Sequence, residues 1–209
     1  MKYAVIFLAF TGIFSACNEN QNLHEDLYQS NSAGGVYFKK EIPANYYTYV
    51  GDKYKEKQLR LEYIESGYEN FQMRLWVDYA LDKRRELYII SNKNGKWSAQ
   101  VYKMITEQSI EKRDSIVSKE IKSLDPKSGW DHLLTDLTDL KFTTLPDMAN
   151  IPTLIDMIDD GAYFNIEIAT KYQYRYYSYH SPEQFQNIFW EAKNMVQIVK
   201  LIQEELDPG

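Results

Sequence analysis

From about Val36 to Leu124 apolar and polar positions follow one another mostly with a period of two. The clearest stretch is Phe71 to Leu81, where Phe71, Met73, Leu75, Val77, Tyr79 and Leu81 fall on one side of an extended chain. Side chains of a strand point alternately to its two faces, so this pattern predicts a half-buried strand. Glu86 to Ser91 predicts a second strand and Trp97 to Ile105 its partner. Between them lies Asn94-Gly95, the favoured pair of a tight hairpin turn because both residues tolerate positive φ. Gln58 to Ile64 and Ser115 to Ile121 are strand candidates on either side. Together they make an antiparallel meander of about five strands, one face buried and one wet.

The period then changes. Trp130, Leu133, Leu134, Leu137 and Leu140 recur at helical spacing, with Ser128 and Asp131 placed as a capping pair. Phe142 to Pro152, interrupted by Pro146 and Pro152, reads as loop, and Ile151 to Ile158 as a helical turn or two. Ala162 to Thr170 and Tyr174 to His180 predict two more strands about a turn at Lys171-Tyr172-Gln173. Ser181-Pro182-Glu183-Gln184 has the form of a helix start, Ser181 as N-cap and Gln184 closing the box. Phe185, Ile188, Phe189, Ala192, Met195, Val196, Val199 and Ile202 continue it as an apolar stripe that ends before Pro208. The expected fold is α+β: an antiparallel β-sheet meander with one or two helices packed on one face and a long C-terminal helix, residues 36–209 forming a single domain.

The first residues follow neither period. Met1-Lys2-Tyr3 is a short positive start, and Ala4 to Phe14 is an uncharged apolar run of eleven residues. A helix needs about 20 residues to cross a bilayer, so eleven fit the apolar region of a secretory signal instead. The run ends in Ser15-Ala16-Cys17, small residues directly before the only cysteine of the chain. This segment resembles the lipobox of bacterial lipoproteins, with Phe14 where leucine is usual. The resemblance implies that residues 1–16 are a signal peptide and that Cys17 is lipidated, with a diacylglyceryl group and an N-acyl chain such as palmitate. One acyl chain holds a membrane only marginally, at about 0.8 kcal/mol per buried methylene, whereas three would anchor the protein firmly. Residues 17–35, rich in Asn, Gln and Ser and closed by Gly34-Gly35, read as a flexible tether of roughly 20–25 Å root-mean-square span. The expected address is the bacterial cell envelope, the outer membrane rather than the inner, periplasmic or surface-exposed.

Charge agrees with lipid as the anchor. The chain carries 24 Lys plus Arg and 30 Asp plus Glu, net -6. Without residues 1–16, which hold one lysine and no acid, 23 bases face 30 acids, net -7. An acidic body is repelled by anionic headgroups and lacks the basic footprint of a nucleic-acid binder, so no nucleic-acid partner is expected. A single cysteine allows neither an internal disulfide nor a thiolate-rich zinc site.

Candidate chemistry is sparse. Asp156 to Gly161 with Glu167 sets acids at positions 1, 5 and 12 of a calcium-type loop and glycine at 6, but position 3 is Ile158 and the exit reads as a strand, so no metal is expected. His24 lies in the tether, His132 on the polar side of a helix and His180 before a cap, and no cofactor motif occurs. Paired carboxylates, as in an envelope-polymer hydrolase acting on glycan or peptidoglycan, are the enzymatic alternative. The aromatic cluster is the better lead. In a strand, Tyr172, Tyr174 and Tyr176 share one face and Arg175, Tyr177 and Tyr179 the other. One packed face would leave some rings in solvent, where Tyr and Arg are typical of interaction hot spots. Asn45 to Tyr49 adds a second cluster. The expected activity is therefore that of an accessory or binding protein of the envelope, its partner a protein or a glycan.

Overall fold

The structure is a computed structural model and describes residues 46–79, 82–108, 114–151 and 161–206. The signal-like segment, Cys17, the tether, Asn45 and the Asp156 to Asp160 acids lie outside the described residues. The architecture is α+β. Six antiparallel strands, β1 (Phe71–Tyr79), β2 (Arg84–Lys93), β3 (Lys96–Gln108), β4 (Asp114–Leu124), β5 (Ala162–Thr170) and β6 (Tyr174–His180), form one sheet in the order β4-β3-β2-β1-β5-β6. Among the described residues three α-helices accompany it, α1 (Tyr46–Leu59), α2 (Trp130–Asp139) and α3 (Trp190–Glu205).

The meander β1 to β4 follows the alternation of the sequence. At the β2–β3 hairpin Lys93 pairs with Lys96 across Asn94 and Gly95, both at positive φ (54° and 77°), so the turn twists with the strands as a two-residue loop must. The β5–β6 hairpin then adds on the other side of β1, making β1 central, with Arg74 opposite Glu167 and Leu75 opposite Ile166. A bulge between Ile105 and Thr106 offsets the outermost pairing, β3 with β4.

The core face carries Met73, Leu75 and Val77 of β1, Tyr88 and Ile90 of β2, and Phe164, Ile166 and Ile168 of β5, closed by α2 and α3. Helix α2 turns in Leu133, Leu134 and Leu137, and α3 turns in Ala192, Met195, Ile198, Val199 and Ile202. Neither helix starts as its sequence suggests. The Ser128 backbone N–H is taken by the Glu205 carboxylate at 2.7 Å, and Gly129, at φ 90°, stands at the N-cap of α2. The Ser181 N–H still pairs with the Ala162 carbonyl at 2.9 Å, so Ser181 prolongs the hairpin, and its side chain makes no capping hydrogen bond. Pro182–Gln184 is a single 3-10 turn, and the helix begins only at Trp190, leaving Ile188 on the surface.

The opposite face is not wet. Gln72, Arg74 and Trp76 of β1 are as buried as their core-facing neighbours, because α1 lies across them. This helix replaces the strand expected over Gln58 to Ile64. Its chain then turns back through Ile64 and Gly67 to β1. Gly67, at φ 105°, brings this return segment against the β5–β6 turn, where an added Cβ would stand 2.5 Å from the Lys171 carbonyl oxygen. Gly67→Ala is therefore expected to lower unfolding free energy by about 1–3 kcal/mol in denaturant titration. Gly51→Ala, in exposed helix with nothing within 4 Å of the new Cβ, should raise it by about 0.5–1 kcal/mol.

Candidate functional site: a buried charge cluster beneath helix α1

Helix α1 buries Asp52, Lys55, Glu56 and Leu59, the i, i+3, i+4, i+7 positions of an amphipathic helix, with charges where apolar residues are usual. The sheet answers with Arg74, Trp76 and Asp78 of β1, Glu167 of β5, and Tyr174 and Tyr176 of β6, all on the face away from the core. A buried charge must be paired and hydrogen-bonded to persist. Lys53 binds Glu167 directly and lies 3.1 Å from Glu56 and 3.0 Å from Glu65. Arg74 binds Glu56, donates to the Gln72 side chain at 2.8 Å and to the Glu62 carbonyl at 2.6 Å. Lys55 binds Asp78 and lies 3.1 Å from Asp52, while Arg85 reaches Asp78 at 3.1 Å.

Aromatic groups complete each site. Glu167 accepts from the Trp76 indole at 2.8 Å and the Tyr174 hydroxyl at 2.7 Å. Asp52 accepts from the Tyr176 hydroxyl at 2.9 Å. The Lys53 ammonium stands 5.4 Å from the ring centre of Tyr49 and 5.5 Å from that of Tyr174, and Lys55 stands 5.5 Å from Trp76, close enough for cation–π attraction. Small apolar clusters flank the charges: Leu59, Trp76, Leu87, Ile89, Tyr102 and Met104 at one end, Ile64, Ala169, Tyr174 and Tyr176 at the other.

Protonation follows from this packing. Burial disfavours the charged form of Glu167, but Lys53 and Arg74 outweigh it and hold its carboxyl down at about 2. Burial likewise works against Lys53 and Lys55, yet Glu167 and Glu65 around the first, and Asp78 and Asp52 around the second, keep both above the ordinary lysine value. Asp52 goes the other way: burial, reinforced by Asp78 and Glu167 against the pull of Lys55, lifts its carboxyl to about 7. Counting Lys53, Lys55, Arg74 and Arg85 against Asp52, Glu56, Glu65, Asp78 and Glu167 gives four cations and five carboxylates. A proton on Asp52 makes the cluster neutral.

The aromatic residues singled out by the sequence are placed very differently from one another. Tyr174 and Tyr176 point under α1, and burial pushes both phenols well up, so they remain donors. Arg175, Tyr177 and Tyr179 point to the core face, where they donate to the carbonyls of Thr143, Phe142 and Pro146, each at 2.6 Å. The expectation that some strand rings reach solvent is thus corrected: both faces of β6 are covered, and Tyr174, Arg175, Tyr176, Tyr177 and Tyr179 are all buried. Tyr172, in the turn, is 67% exposed. Of the second cluster, Tyr49 packs edge-on against Tyr176 and donates to Glu65 at 3.1 Å. Among the described residues no group of His, Cys, Asp and Glu could hold a metal ion, and no helix is long and apolar enough to cross a membrane.

Sequence reasoning passed over Asp52, Lys53, Lys55 and Glu56, though Asp52–Lys55 and Lys53–Glu56 carry the i, i+3 spacing of helical ion pairs. Arrangements of this kind set position, because removing one partner strands the other charges in the interior. Glu167→Ala is expected to cost about 3–5 kcal/mol in denaturant titration at pH 7, whereas Tyr172→Ala should leave stability within about 0.5 kcal/mol.

The pH dependence has a definite sign. Asp52 binds its proton more tightly folded (about 7) than at the ordinary 3.8. Its contribution is therefore full below about 4 and is lost as pH rises towards 7. Glu167, held at about 2 against 4.5, contributes above 4.5 and is lost as pH falls towards 2. Between pH 5 and 8 the wild type should lose on the order of a few kcal/mol. Asp52→Asn should flatten that limb of the stability curve, and equal slopes in the two proteins would refute the assignment.

Comparison with protein-family models, with curated proteins and with solved structures finds no match to this chain.

Proposed function

We propose that the chain is a bacterial envelope lipoprotein, anchored in a membrane, the outer one by preference, through lipid on Cys17, and that its folded domain acts by binding a protein or glycan partner. The observation that carries this reading is the position of the sole cysteine, directly after Ser15-Ala16 and a short apolar run headed by Lys2. The domain itself is acidic and follows a polar tether, which suits a body held near a membrane surface by lipid and not by charge.

For the binding surface, the best support lies at the β5–β6 turn. Tyr172 is two-thirds exposed, with the Lys171 ammonium 5.3 Å from its ring centre. The return segment docks beside it through the Tyr68 N–H on the Thr170 carbonyl at 2.8 Å, and the same segment carries the exposed Tyr63. Exposed tyrosines offer a wide, rigid face and a hydroxyl at small entropic cost, which serves sugar rings and protein surfaces alike. The hydrolase alternative has less behind it. Among the described residues, the carboxylates that stand close together are tied to Lys53, Lys55 and Arg74: Glu56, Glu167 and Asp52 are sealed under α1, and Asp78 is half-buried beside them.

Cells fed a clickable fatty acid should label the wild-type chain, and Cys17→Ser should abolish that label; persistent labelling of the variant would sink the anchor. Tyr172→Ala combined with Tyr63→Ala should leave thermal stability unchanged while weakening capture of an envelope partner by about tenfold or more, and unchanged capture would move the binding surface elsewhere.

A further inference from the structure

The two edges of the sheet are treated unequally. At β6 the Ser178 N–H is taken by the Asp147 carboxylate at 2.9 Å and the His180 N–H by the Met148 sulfur at 3.2 Å, so the segment after α2 seals that edge. At β4 the Gln58 side chain accepts from the Ile116 N–H at 2.9 Å, next to the bulge. Beyond it, among the described residues, residues 118–124 take their strand pairing from β3 alone and β4 is the outermost strand. Ile121 on this stretch is 45% exposed, flanked by Lys119, Glu120 and Lys122.

Charged residues on an edge deter pairing with unrelated strands. Their order here admits one pairing with a second copy. Residues directly opposite in an antiparallel pair point to the same face, so a two-fold axis must pass through a residue position. An axis at Lys119 or Lys122 sets lysine on lysine, and one at Glu120 sets glutamate on glutamate. An axis at Ser118 runs the pairing through the bulge, and one at Ser123 runs it past Leu124 to Pro126, which has no N–H to give. An axis at Ile121 sets Ile121 on Ile121, Glu120 on Lys122 twice and Lys119 on Ser123 twice. Glu120 and Lys122 already pair within one strand at 3.3 Å, so the four charges would alternate in sign around the axis. We propose that the chain forms a two-fold dimer through its β4 edges, paired antiparallel about Ile121 into one continuous sheet.

The test uses the full chain. Opposite Cα atoms lie about 4.5–5.5 Å apart, within disulfide reach. Under oxidation Ile121→Cys should therefore give a cross-linked dimer on a non-reducing gel, while the wild type, with Cys17 alone, gives none at this site. Val117→Cys, whose copies would stand about 26 Å apart, should match the wild type. In the Ile121→Cys background Glu120→Lys or Lys122→Glu alone should cut cross-linking by about tenfold or more, because each sets like charges opposite at both ends. Mixing those two variants should restore it, since one chain then carries both lysines and the other both glutamates. Light scattering on chains with Ile121 intact gives an independent reading: a dimer mass for the wild type, and a monomer for Glu120→Lys. A monomeric wild type, equal cross-linking from Val117→Cys, or failure of the mixed pair to recover would overturn the proposal.

Discussion

The contact between the Lys53 ammonium and the Glu167 carboxylate joins helix α1 to a strand 114 residues later, and much of the fold is organised around it. Stripping either group of water costs several kcal/mol, and only a close partner with further hydrogen bonds offsets that cost. Helix α1 therefore has one place on the sheet where its charges are satisfied, and the small apolar clusters at its two ends could not define that place alone. The same contact guards strand register. Arg74 and Glu167 face each other across β1 and β5, and a slip of one residue would turn either charge into the apolar core.

The two faces of the sheet use one residue type for opposite purposes. On β6, tyrosines alternate between a face of carboxylates and a face of backbone carbonyls. Tyr174 and Tyr176 donate to Glu167 and Asp52, and Tyr177 and Tyr179 to Phe142 and Pro146. In both settings the ring supplies apolar area and the hydroxyl removes an acceptor that burial would otherwise leave unpaired. The strand thereby ties α1 to one side and the segment after α2 to the other, and its density of tyrosine is accounted for by packing. Of the tyrosines from Tyr172 to Tyr179, only Tyr172, in the turn, is exposed.

What the sequence reveals depends on whether a buried surface is apolar. The meander, the Asn94-Gly95 hairpin and the bounds of β5 and β6 are legible because alternation and turn chemistry are local. Helix α2 and the inner stripe of α3 are legible for the same reason, while their starts are not: the backbone N–H groups of Ser128 and Ser181 are engaged by Glu205 and Ala162, partners distant in sequence. Helix α1 is hidden because its inward stripe, Asp52, Lys55 and Glu56, reads as a solvated surface to any hydrophobicity argument. With α1 unseen, the second face of the sheet reads as wet, and the tyrosines above it as exposed.

The position of α1 in the chain has a consequence for how the protein is made. The helix leaves the ribosome before any of the described strands, yet Glu167, Tyr174 and Tyr176 arrive more than a hundred residues later. An apolar helix in that situation would expose a sticky surface during synthesis, the usual route to aggregation. A helix whose docking face is made of lysines and acids can wait in water at little risk. Its arrival on the finished sheet then becomes a late step, in which the completed β5–β6 hairpin supplies the charges that draw it in.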